Sequence, residues 1–363
     1  MSTTLDSVGL DFATLDEIRD AALAKLDPAV RDFLEGGAGD EVTLRRNRQA
    51  FERWAFSPRV MSGADSPQLG TTFMGVDLKL PVLTAPFGAD RLFDPEGQIA
   101  VARANQGAGT ASIAPEAGSH SIEAIASAAP VAAAFGQFHP LGTEDGFLRM
   151  MHRFETAGFR GLCITCDCPT GGWRERNLRN RFAPDATVIS GNYPDSSEYE
   201  EVFGQLFEQD APVWSWDKLG RLLGQGSLPW MAKGIMTVED AKAAVDAGAS
   251  ALLVSNHGGR QLDGQRSSLS VLPAIRDAVG PAVEIALDSG VRRGADVVKA
   301  VALGADVVVI GRLAVYGIAA GGQAGLARVL GLLADEIRTI LTLLGRGGIA
   351  DLDRSALVKA EED

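Results

Sequence analysis

From Pro81 onward the chain alternates short apolar runs with longer amphipathic stretches, and one phrase recurs. FETAGFRGLCIT (154–165), VDAGASALLVS (245–255) and VALGADVVVIG (301–311) each close a helical pattern at a glycine and pass directly into an apolar or β-branched run. That is the signature of a helix C-terminus feeding a buried parallel strand. Units of this kind predict strands near 82–85, 109–113, 131–135, 160–166, 229–232, 250–254, 282–287 and 306–310. An open, doubly wound sheet would also alternate strands and helices, but eight units at near-even spacing favour closure. The expected fold is α/β, a (β/α)8 barrel.

Two segments fall outside this rhythm. Residues 1–80 carry helical patterns (LDEIRDAAL, then VTLRRNRQAFERWAF) and are expected to cap the barrel. Residues 169–228 form a polar, Gly- and Pro-containing insertion after the fourth strand, with helical pieces at 198–208 and 217–223. At the C-terminal end of a strand, so long an insertion reads as a lid. The chain is therefore expected to be one barrel domain over 1–363.

Composition narrows the partners. A net charge of −13 disfavours nucleic acid and anionic membrane, both of which reward basic patches, and points to a small-molecule substrate. No run approaches the roughly 18–20 unbroken apolar residues of a membrane span. MSTTLDSVGL lacks the pattern of a secretory signal, so a cytoplasmic location is expected. Three cysteines crowd into CITCDCP, where CxxC could suggest metal or redox chemistry. As a β-strand this segment alternates its side chains, with Cys166 and Cys168 on one face and Cys163 on the other. Without a second Cys pair or a nearby His in sequence, buried thiols and no metal are expected.

In such a barrel the polar residues at the C-terminal ends of the strands share one mouth, where catalysis sits. Those ends carry Gln137, Thr165, Asp167, Lys233, Ser255, His257, Arg260, Asp288, Arg292 and Arg312. LDSGVRRGAD (287–296) and IGR (310–312) set glycines and arginines where the last two strands lead into their helices, an arrangement suited to cradling a phosphate.

SNHGGRQLDG (255–264), supported by FLEGGAGDEVTLRRNRQAF (33–51), AKGIMTVEDA (232–241) and LDSGVRRGADVVKA (287–300), resembles the FMN-dependent 2-hydroxy acid oxidases and dehydrogenases over nearly the whole chain. The resemblance implies FMN as cofactor and oxidation of an L-2-hydroxy acid to the 2-keto acid, with O2 or another electron acceptor regenerating the flavin. It implies that His257 is the base, Asp167 its orienting carboxylate, and Lys233 the cation beside flavin N1 and O2. Arg260 and Arg174 match the pair that holds the substrate carboxylate. Gln137, Thr165 and Ser255, with Pro86, Phe87 and Gly88, match flavin contacts. Asp288, Gly290, Arg292, Gly311 and Arg312 match the side that holds the ribityl chain and phosphate. Family members are commonly tetramers or octamers, so a homo-oligomer is expected.

The departures cluster around the substrate. Phe33 and His139 stand where the family carries tyrosines, Pro115 and Ala117 where glycolate oxidase carries serine and tryptophan. In Pro86-Phe87-Gly88-Ala89, Gly88 replaces an alanine and resembles the lactate monooxygenases, which implies space beside the flavin and leaves the fate of oxygen open. A substrate other than glycolate or lactate is expected, larger or bearing a group that pairs with His139. Oxidative decarboxylation and oxidation of an amino acid-like substrate remain alternatives. So do a non-oxidative FMN barrel, such as a type II isopentenyl diphosphate isomerase, and a flavin-binding protein without turnover.

Overall fold

In the computed structural model, residues 10–193 and 214–360 are described. Eight parallel strands close into a barrel: β1 (Val82–Thr84), β2 (Ala111–Pro115), β3 (Ala133–Phe138), β4 (Gly161–Thr165), β5 (Trp230–Ile235), β6 (Ala251–Val254), β7 (Glu284–Leu287) and β8 (Val307–Ile310). They run in sequence order around the ring, and β8 returns to β1 through Val308–Val82 and Val309–Leu83. Each strand lies within about three residues of its expected place because buried parallel strands are read as unbroken apolar runs. The three recurring glycines, Gly158, Gly248 and Gly304, all have positive φ, as the turn from helix into strand requires.

Each strand contributes to two apolar layers. Leu83, Ile113, Phe135, Cys163, Met231, Leu253 and Val309 fill the barrel interior, while their neighbours, such as Leu252, Val254 and Ile310, face the helices outside. The N-terminal region does two different jobs. Helices α1 (Leu15–Lys25), α2 (Pro28–Glu35) and α3 (Val42–Glu52) and the glycine loop at 36–39 lie toward the outer ring and the barrel mouth. The following hairpin, Thr71–Phe73 with Val76–Leu78, plugs the opposite end, where Phe73 and Val76 join the interior core and Met74 N–H donates to Glu284 at the start of β7.

One expectation needs correction. The helical pattern VTLRRNRQAFERWAF stops at Glu52, because Trp54–Phe56 pairs antiparallel with Leu357–Lys359, a partner some 300 residues away that no local pattern reveals. Helix Arg312–Leu344 is long and apolar enough, by length and composition alone, to cross a membrane. Here it breaks at Gly321–Gly322 and packs against α1, helix Gly97–Ala108 and helix Gly294–Ala302. Of the insertion, Glu175–Arg179 and Trp216–Leu223 are helical, the latter as expected, whereas the piece expected at 198–208 lies outside the described residues.

Candidate active site

β6 ends at Val254, and the chain turns so tightly that His257 adopts φ 57°, the left-handed region, in a short 3-10 turn. A residue other than glycine seldom sits there, and the surroundings must hold it. They do so through buried polar contacts. Ser255 Oγ accepts from His257 N–H at 3.1 Å, Ser289 Oγ from Gly258 N–H at 3.0 Å, and Asn256 Oδ1 from Gly259 N–H at 3.1 Å. Asn256, only 1% exposed, is clasped by two reciprocal 2.8 Å amide bonds to Asn47 of α3. Asn47 and Ser289 are site-building residues that the sequence reading passed over, because their partner lies far off in the chain.

The imidazole so held meets β4 and β5. Its Nδ1 lies 3.2 and 3.3 Å from the two carboxylate oxygens of Asp167 and 3.2 Å from the Lys233 ammonium, on a side chain buried in the barrel. Burial, and then the Lys233 charge, push His257 down to about 4, against the opposing pull of Asp167. Although burial alone would raise it, Lys233, His257 and more weakly His139 hold the Asp167 carboxyl well below the usual range. Asp167 and Asp288 in turn hold Lys233 above its ordinary value despite burial. The arrangement is a neutral imidazole beside a fixed anion and a fixed cation. With Nδ1–H directed to the carboxylate, Nε2 is the nitrogen that takes up a proton.

Cys168 Sγ approaches the same Nδ1 at 3.5 Å, a neighbour the sequence reading did not foresee for this cysteine cluster. Asp167, Cys168 and His257 could in principle ligate a cation, since their ligand-type atoms lie within 4.8 Å of one another, but Lys233 already places a positive charge there. Burial pushes the Cys163 thiol up to about 12 and raises Cys166 and Cys168 as well, so all three are protonated thiols. Cys163 faces the barrel interior as its strand position requires.

Four arginines converge on the mouth. Arg260 Nη1 donates to the carbonyls of Phe33 (2.6 Å) and Gly36 (3.0 Å), with its guanidinium 4.9 Å above the Phe33 ring. Arg174 donates to the Arg260 carbonyl and to Gln261 Oε1, both at 3.1 Å. Arg312 reaches the carbonyls of Leu34, Gly36 and Gly258, and Arg292 lies 5.6 Å from the Tyr316 ring. Among the described residues none of the four pairs with a carboxylate. Burial, then the neighbouring guanidinium groups, drive Arg260 well below its ordinary value and Arg312 down to about 10. Half-buried guanidinium groups without a carboxylate in salt-bridge contact make a site for anions, which suits a phosphate at Arg292 and Arg312 and a carboxylate at Arg260 and Arg174.

The remaining flavin-side candidates also gather here. Gln137 Nε2 donates to Thr165 Oγ1 at 2.9 Å across β3 and β4. Asp288, raised by burial, accepts from Ser289 Oγ at 2.6 Å. Gly290 has φ +97°, and a β-carbon there would lie 2.6 Å from the Asn47 carbonyl, so only glycine fits that loop. Gly311 caps the helix that begins at Arg312. A group with a phosphate at one end and a polar ring at the other fits these donors.

Gly88 is not the opening that the resemblance implied. A β-carbon on it would lie 2.5 Å from the Ala117 carbonyl oxygen and 3.1 Å from the Ala117 methyl, and Ala89 N–H donates to that same carbonyl at 3.1 Å. The glycine is where two mouth loops touch. Gly88→Ala is expected to cost about 1–3 kcal/mol by overpacking, read as a lowered thermal unfolding midpoint; an unchanged midpoint would mean that the Ala117 loop yields freely.

Comparisons with known proteins agree with this geometry. The family model described as FMN-dependent dehydrogenase matches residues 22–359. An L-lactate oxidase of Nostoc sp. is 38% identical over 94% of this chain and 97% of its own. Glycolate oxidase 3 of Arabidopsis thaliana is 34% identical over 95% and 96%. A crystal structure of mandelate oxidase superposes with a TM-score of 0.88 at 36% identity, covering 96% of this chain and 98% of that one. A barrel carrying His257, Asp167 and Lys233 beside an arginine-lined anion site, matched over nearly its full length, belongs to the family of FMN-dependent dehydrogenases.

Proposed function

We propose that this protein oxidises an L-2-hydroxy acid to the corresponding 2-keto acid with FMN as its cofactor, and that the residues gathered at the barrel mouth do the work. The observation that carries the reading is the Asp167–His257–Lys233 cluster set beside Arg260 and Arg174. The lactate, glycolate and mandelate oxidases above support the substrate class.

Arg260 and Arg174 bind the substrate carboxylate. Their anchoring contacts each use two of the five N–H donors a guanidinium carries, so both keep donors for a second oxyanion. Held there, the substrate presents its hydroxyl-bearing carbon to His257, which accepts a proton at Nε2. The resulting imidazolium is stabilised by Asp167, whose carboxylate stays ionised throughout. FMN, when bound, would take up the hydride equivalent, two electrons and the second proton, that leaves the substrate. Gln137, Thr165, Ser255 and Lys233 would hold its ring, beside Pro86 and Phe87, while Asp288, Gly290, Arg292, Gly311 and Arg312 would hold its ribityl phosphate. Lys233 would also set a fixed positive charge beside that ring. O2 or another acceptor would be the final acceptor of the electrons, and assembly into a homo-oligomer is part of the same reading.

The test is anaerobic bleaching of the bound flavin by a panel of L-2-hydroxy and 2-amino acids from small to aromatic. Bleaching by hydroxy acids with recovery of the keto acid is the expected result. Bleaching by amino acids alone, or release of the decarboxylated acid on admitting oxygen, would replace this reading by one of its alternatives.

A further inference from the structure

Two tight turns meet at the barrel mouth, and each holds one residue in a conformation that only glycine adopts freely. After β6, His257 has φ 57° and is followed by Gly258 and Gly259; after β7, Ser289 has φ 76° and is followed by Gly290. His257 presents an imidazole to Asp167 and Lys233, which accounts for a side chain where glycine would be unstrained. Ser289 needs an account of its own, because strain of this kind persists only where the surroundings impose it and is concentrated at functional sites.

The Ser289 hydroxyl supplies that account. Its Oγ accepts from the backbone N–H of Asn256 at 3.4 Å and of Gly258 at 3.0 Å, the residues on either side of His257. Backbone amides only donate, so both lone pairs are taken and the hydroxyl proton goes to Asp288 Oδ1 at 2.6 Å. The loop that presents the hydroxyl is anchored without it. Ser268 Oγ donates to the Asp288 carbonyl at 2.5 Å, and Arg48 of α3 donates to the Gly290 carbonyl and, at 2.7 Å, to Asp296. A fixed peg therefore enters the backbone of the His257 turn. Around the ring that this turn carries stand Asp167 and Cys168 after β4, Lys233 on β5 and Arg174 in the insertion, so a shift of the turn changes which charge the imidazole meets.

We propose that Ser289 is a positioning residue for His257: its hydroxyl, set between the two amides that flank the histidine, holds the imidazole in register with Asp167 and Lys233. The inference rests on the hydroxy acid reading above and adds a residue to its machinery. Serine stands in the left-handed region because glycine, although unstrained there, carries no hydroxyl. Without the hydroxyl the two amides lose the acceptor that the structure gives them, the turn relaxes, and a base displaced by on the order of 1 Å loses up to about a hundredfold in rate.

The experiment compares Ser289→Ala and Ser289→Gly in the FMN-loaded protein. Both remove the hydroxyl, and only glycine also relieves the left-handed backbone, so Ser289→Gly should melt above Ser289→Ala. The rate should not follow stability: kcat per bound flavin is expected to fall about tenfold to a hundredfold in both. KM should stay within a few-fold, because Arg260 and Arg174 keep their own anchors. A second readout needs no turnover. In 15N-histidine-labelled protein without substrate, the His257 ring is identified among the four histidines by its absence in His257→Gln. It should titrate at about 4 in the wild type and higher in both variants, as the ring gains water and draws away from the Lys233 ammonium. A rate restored by glycine alone, an unchanged kcat per bound flavin in both variants, or a His257 titration that stays at its wild-type value overturns the inference while leaving the reaction class standing. Failure of the wild type to bleach with any hydroxy acid overturns the reaction class, and the titration then decides by itself whether Ser289 holds the ring.

Discussion

Replacing His257 by glutamine is expected to lower kcat by roughly 10²- to 10⁴-fold, the contribution of a placed general base, while the protein still binds FMN. Glutamine keeps a polar side chain of similar reach but cannot take up a proton, so Asp167 is left beside Lys233 with nothing to orient. The measurement is turnover on the acid that bleaches the flavin fastest, with flavin content read from absorbance. A variant within tenfold of wild type would remove His257 from the role of base. The wild-type pH profile provides an independent check. Burial and Lys233 disfavour the imidazolium and hold His257 near 4, below its ordinary value. The base is therefore competent above that pH and is lost as pH falls through it, and kcat/KM, which reports the free enzyme, should hold into the acid range. Removing the Lys233 charge moves this limb upward, because the larger of the two charges that depress His257, Lys233 and then Arg174, is gone.

Arg260→Lys is expected to raise KM by roughly tenfold to a hundredfold with kcat within a few-fold. One charged hydrogen bond to a carboxylate contributes on the order of 1.5–3 kcal/mol, and lysine keeps the charge but not the planar fork that engages both oxygens. The substitution also loosens the tether to the Phe33 and Gly36 carbonyls. Circular dichroism and flavin retention should accompany the kinetics, so that a displaced α2 is not read as lost binding. An unchanged KM on every acid would show that the substrate carboxylate is held elsewhere.

The two substitutions probe residues whose legibility in the sequence differed in kind. His257 and Arg260 stand in one unbroken motif, SNHGGRQLDG, at the end of a strand that apolar periodicity had already located. Arg174 sits 86 residues before Arg260, in an insertion with no periodicity, yet its Nε lies 3.1 Å from the Arg260 carbonyl. Gly88 read as a vacancy when only its lack of a side chain was visible, and the close approach of the Ala117 carbonyl gives it another meaning.

The closure of the barrel was an expectation that the β8–β1 pairing bore out, while the sequence by itself determined the eight strands and set the candidate site residues at their ends. Each of these is a local property: an apolar run bounded by a glycine, followed by the polar residue that emerges where the strand ends. Only the tertiary structure decided what surrounds those side chains. It paired His139 with Glu116 and Asn256 with Asn47, set Trp54–Phe56 against the C-terminal strand, and left four half-buried arginines without a salt-bridged carboxylate among the described residues. These are contacts between segments remote in the chain. A side chain's ionisation, tautomer and free donors depend on which remote group reaches it, and no local spacing encodes that.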